Sequence, residues 1–136
     1  AIKALVNSLL PIAKLVTPNL DEASTLVKQP VRDQEGMREA ARNIYAQFGC
    51  AVLVKGGHLK TSEAIDFFYD GKEELLLSAP RSKRISPPGT GCTYSSAITG
   101  YLAKGEPLVS AVVLAKQYIT KSFENVYRAG KYNFLG

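Results

Sequence analysis

The sequence predicts an α/β fold with a largely parallel sheet and an antiparallel addition, and three observations support this class. Short apolar runs alternate with amphipathic helices, which is the pattern of helices that cover a sheet. Residues 51–54 are apolar without a break, as expected of a strand buried on both faces. Residues 64–69 and 74–78 flank Asp70-Gly71, a strong signal for an antiparallel hairpin.

The other elements of the amino-terminal part follow from periodicity and capping. Apolar residues three and four apart predict a helix with an apolar stripe over residues 2–13. Leu15-Val16 precedes Thr17-Pro18, which predicts a short buried strand ending at a loop. A short helix over residues 20–27 follows, with two acids in its first turn. Residues 34–48 form the clearest amphipathic pattern, and Asp33 and Gly49 suit its two ends.

The carboxyl-terminal part predicts two helices. The first covers residues 92–103, and the second has Pro107 in its first turn and a period near 3.6 as far as Val126. The tail from Gly130 has little periodicity. Only about two parallel strands and the hairpin are expected, so the sheet resembles the second half of a larger one.

Composition narrows the class of protein. The 136 residues carry 17 Lys+Arg and 12 Asp+Glu, a net charge of +5, and 46% are apolar. This balance argues against a disordered or a collagen-like chain. The longest apolar stretch, residues 4–13, is far shorter than the roughly 20 residues that cross a bilayer, so we expect no membrane contact. No secretion signal opens the sequence, and two cysteines are too few for a disulfide scaffold. We expect a cytoplasmic protein with reduced cysteines, and a single disulfide between the two cysteines is the alternative.

The positive charge is spread along the chain, and its one dense cluster is Arg81-Ser82-Lys83-Arg84. Nucleic-acid-binding proteins usually show a concentrated basic face with interleaved aromatic residues. The sequence shows no such face, so we expect no nucleic-acid partner. A basic loop near a phosphate-bearing small ligand is the preferred interpretation of the cluster.

Gly89-Thr90-Gly91-Cys92 is the most informative segment for chemistry. Its two glycines let the backbone approach a ligand closely, and a helix is predicted to start directly after them. The first N–H groups of that helix can hold an oxyanion or a phosphate. Cys92 stands in the same positive field, which makes it a candidate base or nucleophile. A loop glycine pair beside a packed thiol is the alternative, which the residues alone favour.

Lys55-Gly56-Gly57-His58 follows the predicted buried strand. Ligands collect at the carboxyl ends of parallel strands, where a lysine neutralises phosphate charge and glycines let a nucleotide lie against the backbone. The alternative is a turn with a solvated lysine. His58 is the only histidine, so we interpret it as a loop residue near the nucleotide and not as a general base.

Two further places offer oxygen ligands. Asn19 and Glu22 follow the other strand, and they could hold a magnesium ion directly or through water. The residues alone favour the alternative, an N-cap residue with an acid that complements the helix dipole. Asp66 could point at a ligand, but a polar residue on a half-exposed strand is the simpler interpretation. Cys50, before a strand, is most simply a buried small hydrophobe.

Four segments together carry a family resemblance: residues 15–23, 52–58, 66–71 and 89–98. In order and spacing they resemble the carboxyl-terminal half of hydroxymethylpyrimidine/phosphomethylpyrimidine kinase, a ribokinase-superfamily enzyme of thiamine biosynthesis. Cys92 distinguishes this family from most ribokinase-like sugar kinases, which have Asp after Gly-Thr-Gly. Pro88 departs from the family, which commonly has His there, and we expect it to change loop stiffness more than chemistry.

The resemblance implies a ribokinase-like three-layer α/β sandwich. Residues 1–136 would be the carboxyl-terminal, nucleotide- and phosphate-binding part of a single domain whose amino-terminal half is absent. It implies ATP-dependent phosphorylation of hydroxymethylpyrimidine and then of its monophosphate, with Mg²⁺, by an enzyme that is a homodimer at full length. The alternatives are a pyridoxal/pyridoxine kinase of the same family, or a non-catalytic nucleotide-binding fragment, because the half that reads the acceptor is missing.

The resemblance also assigns roles to residues. By it, Cys92 is the catalytic base and Lys55 stabilises the charge of the transferred phosphoryl group. By the same resemblance, Asn19 and Glu22 place the magnesium and the phosphates, with the metal held through water. The implied anion hole consists of Gly89, Thr90 and Gly91. The implied ATP-binding positions are Asn19, Lys55, Gly56, Gly57, His58 and Asp66.

Overall fold

The computed structural model describes residues 2–57, 59, 61–81, 89–129 and 131–135. They fall into two compact units, residues 1–80 and 81–136. His58 and residues 82–88, which include most of the basic cluster and the two loop prolines, lie outside the described residues. The membership of both units in one domain stays a prediction.

The first unit opens with a helical segment that is only partly α-helical. Ile2–Ala4 is an α-helical turn (α1), Leu5–Leu9 is π-helix and Leu10–Ile12 is 3-10 helix. The expected regular helix is therefore wrong in detail, because Pro11 has no N–H with which to continue the α-helical ladder. The expected stripe is also largely uncovered: Leu5 is 39% and Leu9 54% exposed.

Four strands form one mixed sheet in this unit: β1 (Leu15–Val16), β2 (Ala51–Lys55), β3 (Glu63–Tyr69) and β4 (Glu74–Pro80). The spatial order is β1-β2-β3-β4, with β1 parallel to β2 and the other two pairings antiparallel. This confirms two parallel strands followed by a hairpin. β1 is half-buried and not buried as expected, since it lies at one edge of the sheet.

Two helices cover one face of the sheet, and both have the predicted bounds. They are α2 (Leu20–Val27) and α3 (Gln34–Phe48). Asp33 caps α3 by accepting the N–H of Gly36 at 2.8 Å, and Gly49 ends it in the left-handed conformation at φ 72°. Local capping chemistry of this kind is readable from sequence, which is why these bounds were predictable.

The core lies between these helices and the sheet. Full burial of each apolar side chain contributes about 1.5–3 kcal/mol before entropy is counted. Leu53 and Phe68, which pair across β2 and β3, are also fully buried on the opposite face, so β2 is covered on both sides as predicted. The buried members of the main cluster are Leu20, Ala23, Val31, Met37, Ala40, Ala41, Ile44, Val52, Val54, Leu59 and Phe67.

The β3–β4 hairpin is tied to α3 by charged side chains. Asp70 accepts the N–H groups of Lys72 at 2.9 Å and Glu73 at 2.8 Å, which closes the turn. At the base of β4, Glu74 accepts hydrogen bonds from Arg42 at 2.6 Å and Arg38 at 3.1 Å, both on α3. Helix and hairpin are thus joined at the end of the sheet where the turn lies.

The second unit contains two packed helices, α4 (Thr90–Ala103) and α5 (Leu108–Ser122), and a small hairpin of β5 (Tyr127–Ala129) and β6 (Tyr132–Phe134). α5 ends before Val126, and the hairpin was not expected from the aperiodic tail. The rings of Tyr127 and Phe134 stack across that hairpin with centroids 5.7 Å apart. No helix in the described parts of the chain is long and apolar enough to cross a bilayer.

Candidate active site

Asn19 and Lys55 lie side by side where β1 and β2 end. The backbone N–H of Lys55 donates to the carbonyl of Pro18 at 2.8 Å, and Asn19 pairs with Lys55 in a parallel bridge. Both strands run in the same direction, so both residues stand at the carboxyl edge of the sheet. Ligands of parallel α/β sheets collect at this edge. The structure therefore brings together two of the residues predicted to bind ATP.

Asn19 and Glu22 form a complete capping box at the start of α2. The Asn19 Oδ1 accepts the N–H of Glu22 at 2.8 Å, and the N–H of Asn19 donates to Glu22 Oε2 at 2.8 Å. This confirms the N-cap interpretation, in which the two side chains satisfy helix donors. The box also fixes the exposed Glu22 carboxylate against the N–H of Asn19, the residue that pairs with Lys55.

The same pair suits a magnesium ion held mainly by water. Magnesium takes oxygen ligands, keeps several waters and is bound through one or two carboxylates together with substrate phosphates. Glu22 supplies one carboxylate and Asn19 one amide oxygen. Within the described ranges, no group of three or more His, Cys, Asp and Glu side chains could hold a metal ion. Asn19 and Glu22 would hold the ion through water, with the phosphates completing its shell.

Gly56 and Gly57 are glycines for different reasons. Gly56 is buried, and a Cβ there would overlap the carbonyl oxygen of Ile65 and lie 2.9 Å from Met37 Cε. Gly57 is exposed, and apart from its chain neighbours no atom of the described residues lies within 4 Å of where its Cβ would be. Packing therefore accounts for Gly56. At Gly57, two residues after Lys55, packing against the described residues does not account for the glycine.

Asp66 is the best-buried polar residue among those the structure describes in this unit, at 4% exposure. It pairs with Lys55 in the β2–β3 register, and its Oδ1 accepts the backbone N–H of Gly56 at 3.1 Å. The expectation of a half-exposed strand is wrong, because residues 65–68 are buried in succession. The hydrogen bond joins residues ten apart, so no local sequence pattern could have indicated it.

α4 begins two residues earlier than predicted, at Thr90. Gly89 holds the N-cap position at φ 90°, where glycine is favoured, and the first intrahelical bond runs from the Thr93 N–H to the Gly89 carbonyl at 2.9 Å. Thr90 and Gly91 thus belong to the first turn and not to the preceding loop. The N–H groups of Gly91 and Cys92 precede the first intrahelical bond, where an anion can be held.

The two cysteines differ in environment. Cys92, the third residue of α4, is exposed, which contradicts the interpretation of a packed thiol and leaves its sulfur open to a substrate. Cys50 is buried, and burial raises the pKa of its thiol above the ordinary value. Both are free thiols, and the prediction that Cys50 is a buried hydrophobe is confirmed.

A family model described as phosphomethylpyrimidine kinase matches residues 1–135. The chain belongs to the phosphomethylpyrimidine kinase family. One relative, the hydroxymethylpyrimidine/phosphomethylpyrimidine kinase of Rhizobium meliloti, is 47% identical over 120 residues, which cover 88% of this chain and 45% of that protein. The chain spans about half the length of the curated kinases of this name that it matches. The resemblance stated from four sequence motifs is thereby confirmed.

Solved structures of kinases share the fold. A pyridoxal kinase from Bacillus subtilis, solved as an ADP complex, matches with a TM-score of 0.90 and 35% identity over 98% of this chain and 51% of that one. A phosphomethylpyrimidine kinase from Clostridium difficile matches with a TM-score of 0.73 and 34% identity over 88% of this chain and 47% of that one. The ribokinase-like α/β class predicted from the resemblance is confirmed.

Proposed function

We propose that this chain supplies the nucleotide- and phosphate-binding part of a kinase that phosphorylates hydroxymethylpyrimidine and then its monophosphate, in thiamine biosynthesis. The observation that carries the proposal is the placement of Lys55 beside Asn19 at the carboxyl edge of the sheet, in a member of the phosphomethylpyrimidine kinase family. ATP is the proposed phosphoryl donor. The ADP complex of the Bacillus subtilis relative supports a nucleotide site in this fold.

The proposed nucleotide site includes the cation of Lys55 and, at Gly57, a residue without a side chain. We propose that the Lys55 ammonium offsets the charge of the transferred phosphoryl group, since phosphoryl transfer depends mostly on positioning and electrostatic stabilisation. Gly57 lets the nucleotide lie close to the chain, because among the described residues no atom beyond its chain neighbours lies within 4 Å of the position of a Cβ. Gly56 and His58 complete the proposed nucleotide positions, with His58 outside the described residues, and Asp66 belongs to the site through its hydrogen bond from the Gly56 N–H.

Magnesium is the proposed metal, held by Glu22 and Asn19 through water. When bound, it would supply positive charge that offsets the charge of the phosphates. The capping box stabilises the backbone that presents both side chains, so the two interpretations of this pair are compatible. Glu22 is exposed, as a water-mediated ligand requires.

We propose that Cys92 is the catalytic base. As the thiolate, its sulfur accepts the proton of the acceptor hydroxyl and becomes a thiol, while the acceptor oxygen bonds to the γ-phosphorus and the bond from that phosphorus to the bridging oxygen of ADP breaks. Gly89, Thr90 and Gly91 form the proposed anion hole, because the first N–H groups of α4 carry partial positive charge. The exposure of Cys92 supports this role.

Pyridoxal phosphorylation is the second candidate. The observation that favours it is the higher TM-score with the Bacillus subtilis pyridoxal kinase than with the Clostridium difficile phosphomethylpyrimidine kinase. A third candidate, a nucleotide-binding fragment without turnover, follows from the share of the relatives that the chain spans. The identity over a relative named for the pyrimidine, 47%, favours the first candidate.

Two assays separate these candidates. Full-length protein carrying this sequence is assayed with ATP and either hydroxymethylpyrimidine or pyridoxal, and we expect a higher kcat/KM for the pyrimidine. A higher value for pyridoxal would reverse the assignment. Calorimetry of ATP with residues 1–136 alone tests the third candidate, because binding without transfer would show that this chain is a nucleotide-binding fragment by itself.

The proposed partner is a small-molecule acceptor, and we propose a homodimer for the full-length protein. The cytoplasmic location and the absence of nucleic-acid and membrane partners stay predictions.

A further inference from the structure

Asp66 contacts the backbone of the loop that we propose for the nucleotide phosphates. We call residues 55–57 the phosphate loop. The Asp66 carboxylate is buried and accepts the N–H of its central residue, Gly56, at 3.1 Å. A buried carboxylate is costly unless hydrogen-bonded, and a charge-assisted bond of this kind is among the stronger ones in proteins.

The position of Gly56 is fixed from several sides. Its N–H donates to the carbonyl of Ile65 at 2.9 Å as well as to Asp66, and its own carbonyl accepts the N–H of Leu59 at 2.9 Å. Met37 closes the space where a side chain would be. The chain after β2 is therefore held in one conformation at Gly56, and this conformation sets the positions of its neighbours Lys55 and Gly57.

The electrostatics argue against direct contact between Asp66 and the phosphates. A carboxylate facing a triphosphate would repel it, whereas a carboxylate that accepts a backbone N–H from behind the loop keeps its charge away from the ligand face. The burial of Asp66 agrees with the second arrangement.

We propose that Asp66 is a positioning residue for ATP, acting through the Gly56 N–H to hold the phosphate loop in its binding conformation. This assignment rests on the proposed function. A loop ordered in advance binds its ligand more tightly, because less conformational freedom is lost on binding. In this proposal Asp66 contacts the loop backbone and does not contact the nucleotide.

Three variants of the full-length protein test the assignment. D66N keeps an oxygen that can accept the Gly56 N–H, and D66A removes it. D70A is the matched control, since Asp70 lies on the same hairpin and also accepts backbone N–H groups, at the turn. For each variant we measure kcat, the KM for ATP, the KM for the acceptor and the melting temperature.

We expect D66A to raise the KM for ATP about tenfold or more, with the KM for the acceptor within about threefold of wild type. D66N should recover most of that loss, whereas D70A should lower the melting temperature without raising the KM for ATP. A KM for ATP in D66A equal to wild type would overturn the proposal. So would a rise in D66N as large as that in D66A, because the retained acceptor oxygen would then do nothing for ATP binding. If D66A does not fold, a tenfold rise in D66N overturns the proposal in the same way.

The wild-type assay separates this proposal from the one on which it rests. Wild-type protein that transfers no phosphoryl group to either acceptor would overturn the proposed function and this assignment together. Active wild type with an unchanged KM for ATP in D66A would overturn this assignment alone.

Discussion

Asn19 lies next to Lys55 because the chain that leaves β1 stays paired with the last residue of β2, through the 2.8 Å bond from the Lys55 N–H to the Pro18 carbonyl. The amide that caps α2 and the cation proposed for the phosphates are thus fixed by one stretch of backbone pairing. The capping box then sets Glu22 beside them. A substitution at Asn19 or Glu22 can therefore weaken both the cap of α2 and the proposed phosphate binding, and only matched variants separate the two effects.

The first prediction concerns Glu22 and magnesium. Glutamine also completes a capping box, so E22Q should keep the stability of the wild type within about 0.5 kcal/mol. If the carboxylate holds the hydration shell of the ion, E22Q should raise the Mg²⁺ concentration needed for half-maximal activity about tenfold or more. E22A is the control that loses both functions. A wild-type Mg²⁺ dependence in E22Q would leave capping as the only role of Glu22.

The second prediction separates the two glycines. A Cβ at position 56 overlaps the Ile65 carbonyl and crowds Met37, so G56A should lose about 1–3 kcal/mol of unfolding free energy. A Cβ at position 57 would meet no atom of the part of the chain that the structure describes, its chain neighbours aside, so G57A should keep the stability but bind ATP about tenfold more weakly, if the ligand lies there. Urea unfolding and calorimetry measure the two effects. G57A with wild-type affinity would place the nucleotide elsewhere.

The third prediction is a pH dependence at the hairpin. Burial raises the pKa of Glu74, but hydrogen bonds from Arg42 and Arg38 outweigh it and hold the pKa below its ordinary value of 4.5. A carboxylate with a lowered folded-state pKa contributes stability above its unfolded-state pKa and loses it as the pH falls through the folded-state value. E74Q should therefore lower the melting temperature at neutral pH.

That difference between E74Q and wild type should disappear in acid, below the folded-state pKa of Glu74. Thermal unfolding of both proteins across the acid range measures it, and high salt should also reduce it because the arginines are partly exposed. A difference that stays constant with pH would mean that the lost packing of Glu74 matters and its charge does not.

The fourth prediction concerns thiol reactivity. Cys92 is exposed, whereas burial raises the pKa of Cys50, and the thiolate is the reactive species. In native protein, iodoacetamide should modify Cys92 first, and Cys50 should react at a comparable rate only after denaturation. Peptide mass spectrometry over time identifies the modified residue. Equal native rates at both positions would contradict the burial of Cys50, and C92A should remove the fast reaction.

The sequence predicted the elements whose ends have local signals. α2 and α3 have the predicted bounds because Asn19, Asp33 and Gly49 are capping residues that act within a few positions of themselves. The start of α4 was predicted two residues too late. Glycine has a low helix propensity, which favoured a loop at Gly91, although Gly91 lies in the first turn of the helix.

The rest depends on contacts between distant residues. The partner of Asp66 is the N–H of Gly56, which is reached only once β2 and β3 are paired in register. The need for glycine at position 56 comes from Met37 and Ile65, on two other elements. The candidate residues were predictable by type and by place at strand ends, but which of them face a ligand and which face the protein follows from packing.

Turnover of a Cys92 variant tests the central claim most directly. With full-length protein, hydroxymethylpyrimidine and ATP, C92A should lower kcat by about 100-fold or more, because a positioned general base contributes about that much, while the KM for ATP stays within about threefold of wild type. A kcat for C92A equal to that of the wild type would contradict the role of this thiol in catalysis.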